Sequence, residues 1–177
     1  METGEKEMRN STKTRTESAR TPQAAGFSLI ELLIVVAIIL IIAAIAVPGF
    51  LRAKIAANQS SAIENCRTIT SAEINYDIVY GGFAPSLVAL GGPAGGTPNP
   101  SNAQMIDDAL STGIRSGYVF SYAPVNQDAN GKFQDYGLNA DPQLANVTGV
   151  NHYFTNEPSV IHWNATAQAS VNDAPIQ

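Results

Sequence analysis

One apolar stretch near the start of the chain limits what this protein can be. Leu32–Val47 is sixteen residues without a polar side chain, and the twenty-one residues from Phe27 to Val47 are interrupted only by Ser28 and Glu31. At about 1.5 Å per residue, a helix of this length extends for roughly 30 Å, the thickness of the hydrocarbon core of a bilayer. The stretch therefore predicts a single membrane-spanning helix over residues 27–48.

Glu31 is the acidic residue in this stretch. A carboxylate inside a membrane segment is costly and usually marks a functional partner. Glu31 is also close to the start of the stretch, where it could sit among the lipid headgroups at little cost. The apolar stretch by itself leaves both interpretations open.

The residues around Glu31 favour a functional role. Gly26 and Phe27 are followed by a carboxylate in the fifth place counted from Phe27, and then by an unbroken apolar run up to Pro48. This pattern resembles the class III signal of type IV pilins and of the related pseudopilins of type II secretion. The resemblance implies that residues 1–26 are a leader peptide, removed between Gly26 and Phe27 by a prepilin peptidase/N-methyltransferase that also methylates Phe27. Translation could start at Met1 or at Met8.

Cleavage at this position would supply Glu31 with an opposite charge. Phe27 would then carry an α-ammonium group, which a buried carboxylate needs as a counter-charge. Within one helix that amine lies about one turn away, whereas between copies Glu31 could recruit the amine of a neighbour. The second arrangement would set the axial register of a filament.

Charge is distributed unevenly along the chain. Residues 1–26 contain five Lys/Arg and four Glu, whereas residues 27–177 contain five Lys/Arg and eleven Asp/Glu, a formal net charge of −6. Next to the apolar stretch cations outnumber acids, so the positive-inside rule predicts a cytoplasmic leader and an outward-facing C-terminal part: Lys13, Arg15 and Arg20 stand against Glu17. Nucleic-acid binders need clustered cations, so we expect no nucleic-acid binding by this chain itself.

Beyond the apolar stretch, the pattern predicts that the helix continues to Tyr80. Pro48 removes one helical hydrogen bond, so a kink or local melting is expected over residues 45–49. Arg52 and Lys54 mark an aqueous or headgroup boundary. Apolar residues then recur at helical spacing and predict one buried face: Ile55, Ala62, Cys66, Ile69, Tyr76 and Tyr80, widened by Ile63, Ile74 and Ile78. Glu73 is assigned to the polar face, and Gly81-Gly82 ends the helix.

Residues 81–177 are predicted to form a globular head. Glycine and proline dominate residues 81–102, which predicts a loop with a turn at 86–90. Ser101-Asn102 could cap a short helix over residues 103–111. Four segments with strand patterns follow, and they predict an antiparallel sheet within residues 117–164: 117–124, 133–140, 152–155 and 159–164. Residues 165–177 read as an irregular tail. The expected class is α+β, a long N-terminal helix packed on a small antiparallel sheet, and the pilin resemblance implies the same.

Other candidate sites have simpler explanations. Asn126, Asp128, Asn130 and Gly131 match the opening of a calcium loop, but Gly137 stands where the closing glutamate belongs, and a hairpin turn explains the same residues. His152 and His162 have no third ligand at metal spacing. Cys66 is the single cysteine, so no intrachain disulfide is possible, and we expect it to be buried. Core packing also accounts for the aromatic residues that could carry electrons in some pilins: Phe27, Phe50, Tyr76, Tyr80 and Phe83.

The favoured interpretation is a structural subunit rather than an enzyme, with no catalytic residue and no cofactor apart from possible calcium. The resemblance implies an inner-membrane protein that polymerises through its apolar helix into a surface type IV pilus for adhesion, twitching motility or DNA uptake. Its partners would be other pilin subunits, the prepilin peptidase, and the assembly ATPase and platform proteins. The alternatives are a major pseudopilin of a periplasmic type II secretion pseudopilus, and a membrane-tethered binding module that does not polymerise. Gly26, Phe27, Glu31 and Pro48 are the candidate processing and assembly residues.

Overall fold

The computed structural model describes residues 26–92 and 95–176. Of the predicted leader, residues 1–25 lie outside this part. The described chain forms three helices and six strands: α1 (Leu29–Tyr80), α2 (Leu87–Leu90), α3 (Asp108–Ser111), β1 (Ile114–Arg115), β2 (Tyr118–Gln127), β3 (Phe133–Pro142), β4 (His152–Asn156), β5 (His162–Asn164) and β6 (Ala174–Pro175). The predicted α+β class is confirmed. The chain divides into two units, one up to Ile41 and one from Ile42 onward.

The described part of the first unit consists of Gly26–Ser28 and the first part of α1, up to Ile41. Its large apolar side chains from Leu29 to Ile41 are between 46% and 82% exposed, so residues 26–92 and 95–176 do not cover them. By length and composition, α1 is the one helix in residues 26–92 and 95–176 that could cross a membrane.

In the second unit α1 runs through Pro48 without interruption. The melting predicted for residues 45–49 is therefore absent from the single chain. Proline removes one backbone donor and crowds the preceding turn. Val47 and Gly49 beside Pro48 are poor helix formers, but Ala46 and Leu51 are good ones, and the helix continues on both sides of the proline.

The six strands form one antiparallel meander in the order β1-β2-β3-β4-β5-β6. The predicted strands correspond to β2–β5, and β2 extends three residues beyond Pro124, which pairs with Tyr136. The prediction of an irregular tail was wrong at β6, where Ala174 pairs with Trp163. Ile176 holds this segment in place, since its N–H donates to Ile161 O at 2.8 Å.

One face of α1 in the second unit contributes to the hydrophobic core. Ala62, Cys66, Ile69 and Tyr76 are buried in one cluster with sheet residues such as Tyr118, Leu138 and Tyr153. The predicted stripe was wrong at three positions. Ile74 and Ile78 are exposed, whereas Glu73 is fully buried. Helical spacing explains this, because residue 73 continues the series 62, 66, 69 and 76.

The segment between α1 and β1 contains two helices of one turn each. Ser86 caps α2 by accepting a hydrogen bond from Ala89 N, at the predicted turn. The predicted helix over residues 103–111 is shorter, since only α3 is helical and its N-cap is Asp107. Residues 103–106 use their N–H groups elsewhere: Ala103 donates to Ala89 O and Met105 to Leu90 O, each at 2.8 Å.

Candidate functional site

The predicted processing residues lie before the first turn of α1. Gly26, Phe27 and Ser28 are non-helical and exposed, so the Gly26–Phe27 peptide bond is accessible. An added Cβ at Gly26 would meet no atom within 4 Å. Packing among the described residues therefore does not require glycine there, and cleavage after Gly26 stays a prediction.

Glu31 occupies the first turn of α1, where the partial positive charge of the helix N-terminus favours a carboxylate. The Ser28 N–H donates to Glu31 Oε2 at 2.9 Å. This contact is one half of a capping box, in which the third helical residue reaches back to the N-cap backbone. The capping role was missed from the sequence, although the spacing Ser28-x-x-Glu31 is its signature.

Glu31 has no cationic partner in residues 26–92 and 95–176. The ion pairs found there join Arg67 to Glu64, Arg115 to Asp107 and His152 to Asp141. Within those ranges Glu31 thus has one backbone donor and no counter-charge. A pairing with the Phe27 amine, within a copy or between copies, stays a prediction.

Sequence reasoning also missed a buried polar cluster between α1 and the sheet. Glu73 Oε2 accepts a hydrogen bond from Ala84 N at 2.9 Å, and Tyr122 OH donates to Ala84 O at 2.8 Å. Burial raises the pKa of the Glu73 carboxyl to about 7. The contacts fix the segment after α1 onto the sheet, which is a structural function. Glu73 sits at helical spacing from Ile69, and that spacing was the available signal.

The weak calcium candidate is a hairpin turn between β2 and β3. Asp128 Oδ1 accepts hydrogen bonds from Asn130 N and Lys132 N, both at 2.8 Å. These donors lower the pKa of the Asp128 carboxyl, the Lys132 N–H contributing most. Across the described ranges no three His, Cys, Asp or Glu residues are grouped as metal ligands. The hairpin turn accounts for the contacts of Asp128, and calcium binding by Asn126, Asp128 and Asn130 stays a prediction.

The remaining candidates have structural contacts. His152 Nδ1 lies 2.6 Å from Asp141 Oδ1, and His162 Nδ1 lies 2.7 Å from Asp173 O, so each ring links neighbouring segments. Cys66 is buried, and burial raises its thiol pKa to about 12. Tyr76 and Tyr80 have ring centroids 4.6 Å apart, and Tyr76 is in the core. Phe27 and Phe50 are exposed on or before α1.

Comparisons with known proteins support the N-terminal assignment. The family model described as the prokaryotic N-terminal methylation motif matches residues 22–47, which include Gly26, Phe27 and Glu31. The type IV major pilin protein PilA of Myxococcus xanthus (strain DK1622) is 46% identical over 55 residues, 31% of this chain. The matched region spans 25% of the length of that relative.

Proposed function

We propose that this chain, a protein of the type IV pilin family, is the structural subunit of a type IV pilus. Its apolar helix would anchor it in the inner membrane before assembly, and many copies would then bundle these helices into the core of a filament. The uncovered apolar surface of α1 from Leu29 to Ile41 carries the proposal, because a surface of that size needs lipid or protein neighbours.

The transfer from lipid to filament is physically reasonable. Leucine and isoleucine side chains exchange apolar lipid neighbours for apolar protein neighbours. Helix packing and the pairing of polar groups therefore decide whether the helix is more stable in lipid or in the filament. Glu31 is the polar group that must be matched in the new surroundings. The amine of Phe27 on an adjoining copy would match it with a charge-assisted hydrogen bond.

The decisive experiment combines mass spectrometry of the mature N-terminus with electron microscopy of sheared cell-surface material. We expect the chain to begin at N-methylated Phe27 and to form fibres. Glu31→Gln should still be cleaved but should yield far fewer fibres, and Glu64→Gln serves as a control on an exposed face of the same helix. An intact Gly26–Phe27 bond, with the chain remaining monomeric, would point to a membrane-tethered binding module instead.

The choice between a pilus and a secretion pseudopilus needs a second measurement. The name of the Myxococcus xanthus relative, a major pilin, favours the pilus. Deletion of the gene should abolish surface fibres and leave secreted enzymes at parental levels. Retention of those enzymes in the periplasm, with fibres unchanged, would assign the chain to type II secretion.

A further inference from the structure

The second unit carries a positively charged helical segment that is largely exposed. This neck, Gly49–Ala57, contains Arg52 and Lys54 and no acidic residue. Neither cation has an ion-pair or hydrogen-bond partner in residues 26–92 and 95–176, where the ion-paired cationic groups are Arg67, Arg115 and His152. Phe50 and Leu51, directly before Arg52, are 69% and 51% exposed. The neck is therefore an uncovered surface that combines apolar and cationic side chains.

The opposite end of the second unit has the complementary character. Residues 58–177 contain three Lys/Arg and ten Asp/Glu. Three of the acids, Asp77, Asp135 and Glu157, form what we call the acidic end. Phe83 N donates to Phe133 O at 2.8 Å, which places the start of β3 beside the end of α1. Glu157 N donates to Asp135 Oδ1 at 3.4 Å, which places Glu157 there too.

Asp135 has a local role, since its Oδ1 accepts a hydrogen bond from Tyr136 N at 2.7 Å, whereas the carboxylates of Asp77 and Glu157 have no hydrogen-bond or ion-pair partner in residues 26–92 and 95–176. Asp77 is in the last turn of α1, which contains no basic residue, and a carboxylate there opposes the helix dipole. Lys132 also lies at this end, where its ammonium group donates to Tyr80 O at 2.8 Å, and its positive charge offsets one of the three carboxylates. Ile78 and Val79, next to Asp77, are 74% and 61% exposed. The acidic end thus presents carboxylates beside apolar side chains, as the neck presents cations beside apolar side chains.

We propose that the neck of one copy docks on the acidic end of a second copy. This inference rests on the proposed function, since it identifies the surface through which the polymer continues. The two surfaces differ, so the contact is heterologous and repeats without closing, as an open filament requires. Arg52 and Lys54 precede Asp77 by 25 and 23 residues. With parallel helices, the two copies are therefore staggered by roughly 35 Å along the helix axis.

Charge reversal with rescue tests this contact in cells. The neck variant is Arg52→Glu with Lys54→Glu, and the acidic-end variant is Asp77→Lys with Glu157→Lys. Because like charges placed together repel, each double variant should reduce the fibre yield about tenfold or more, and the combined variant should recover to within about threefold of wild type. Asp108→Lys, an exposed acid in α3, is the matched control and should leave the yield unchanged.

Immunoblots of cleaved subunit in the membrane fraction separate assembly from folding. Asp77→Lys suits the helix dipole, so loss of fibres with normal subunit levels cannot be attributed to a weaker helix. If only the neck variant loses fibres and the combination does not recover, the neck binds anionic lipid headgroups and the proposal is wrong. If wild type itself forms no fibres, the proposed function fails together with this contact.

Discussion

Glu73 is the side chain whose position has the clearest energetic consequence. It is fully buried on α1, and its Oε1 atom has no hydrogen-bond partner among residues 26–92 and 95–176. Burial raises its pKa from 4.5 to about 7, against the opposing effect of the Ala84 N–H. The folded state therefore binds a proton that the unfolded chain releases at lower pH.

Stability should consequently fall as pH rises across this range. A group whose pKa is raised by folding contributes its full stabilisation of the folded state below its unfolded pKa. That contribution to the free energy of unfolding is lost as the pH rises through the folded pKa. For Glu73 the window runs from pH 4.5 to about 7. The loss is on the order of 3 kcal/mol in the free energy of unfolding.

Glu73→Gln should remove this dependence, because the amide stays neutral and its oxygen can still accept the Ala84 N–H. We expect the variant to be more stable than wild type above pH 7 and similar near pH 4.5, as measured by urea unfolding at several pH values. Glu64→Gln, at an exposed position on the same helix, should leave the wild-type profile unchanged. Equal slopes for wild type and Glu73→Gln would contradict the assignment.

At the scale of the elements, β6 is the outermost strand at one edge of the sheet. It covers β5 through the pairs Ala174–Trp163 and Pro175–His162. Proline has no N–H to offer, which suits the outermost strand of a sheet and discourages further pairing. Ile176 packs against the core and bonds to Ile161 O. The two-residue strand β6 thus pairs with the edge of β5 and positions Ile176 against the core.

Removal of residues 174–177 should destabilise the head by about 1–3 kcal/mol, since it exposes the β5 edge and leaves Ile161 O without this donor. Thermal unfolding followed by circular dichroism would show a lower Tm. Val171→Ser changes an exposed side chain nearby and should leave the Tm unchanged. An identical Tm for the truncated chain would mean that β6 contributes nothing.

The elements with strong periodicity were predictable and the short ones were not. The end of α1 at Gly81 and the strands β2–β4 follow from helical spacing, alternation and turn residues. β1 and β6 are two residues long, too short for any periodic signal. The helix before β1 was overestimated because residues 103–106 bond to the backbone of residues 89–91, a long-range contact that local patterns cannot report.

The candidate site was predictable in position and less so in geometry. Gly26, Phe27 and Glu31 stand out from a motif of contiguous residues, which a sequence reveals directly. The hydrogen bond between Ser28 and Glu31 was also predictable from their spacing. It was overlooked because an acid in an apolar stretch suggested an ion pair with the Phe27 amine, within one copy or between copies. The charge of Glu73 likewise led to its assignment to the polar face of α1. Its helical spacing from Ile69 indicated the buried face, and the structure shows that the spacing was the better guide.

At the scale of the whole molecule, the buried core begins at Ala62. The neck and the apolar run before it contribute no buried hydrophobic residue. The buried hydrophobic contacts of the head are therefore contained in the described part of residues 58–176, and the exposed residues before them remain for the polymerisation that we propose.

A chain beginning at Arg52 should accordingly fold as a water-soluble monomer. Size-exclusion chromatography should give one monomeric peak, and the unfolding transition should stay cooperative, since every residue of the core is retained. The cleaved full-length chain should need detergent under the same conditions. Aggregation of the shortened chain, or a transition without cooperativity, would show that the apolar run takes part in folding the head.

The hydrogen bond from Ser28 to Glu31 has a consequence for reversibility. If the proposed fibre forms, each incoming copy already has one Glu31 oxygen hydrogen-bonded within its own helix. The amine of a neighbour then adds to a carboxylate that is already partly satisfied, so this contact contributes less free energy than it would to a carboxylate without a donor. We therefore expect the proposed fibre to shorten more easily than one held by an otherwise unbonded acid.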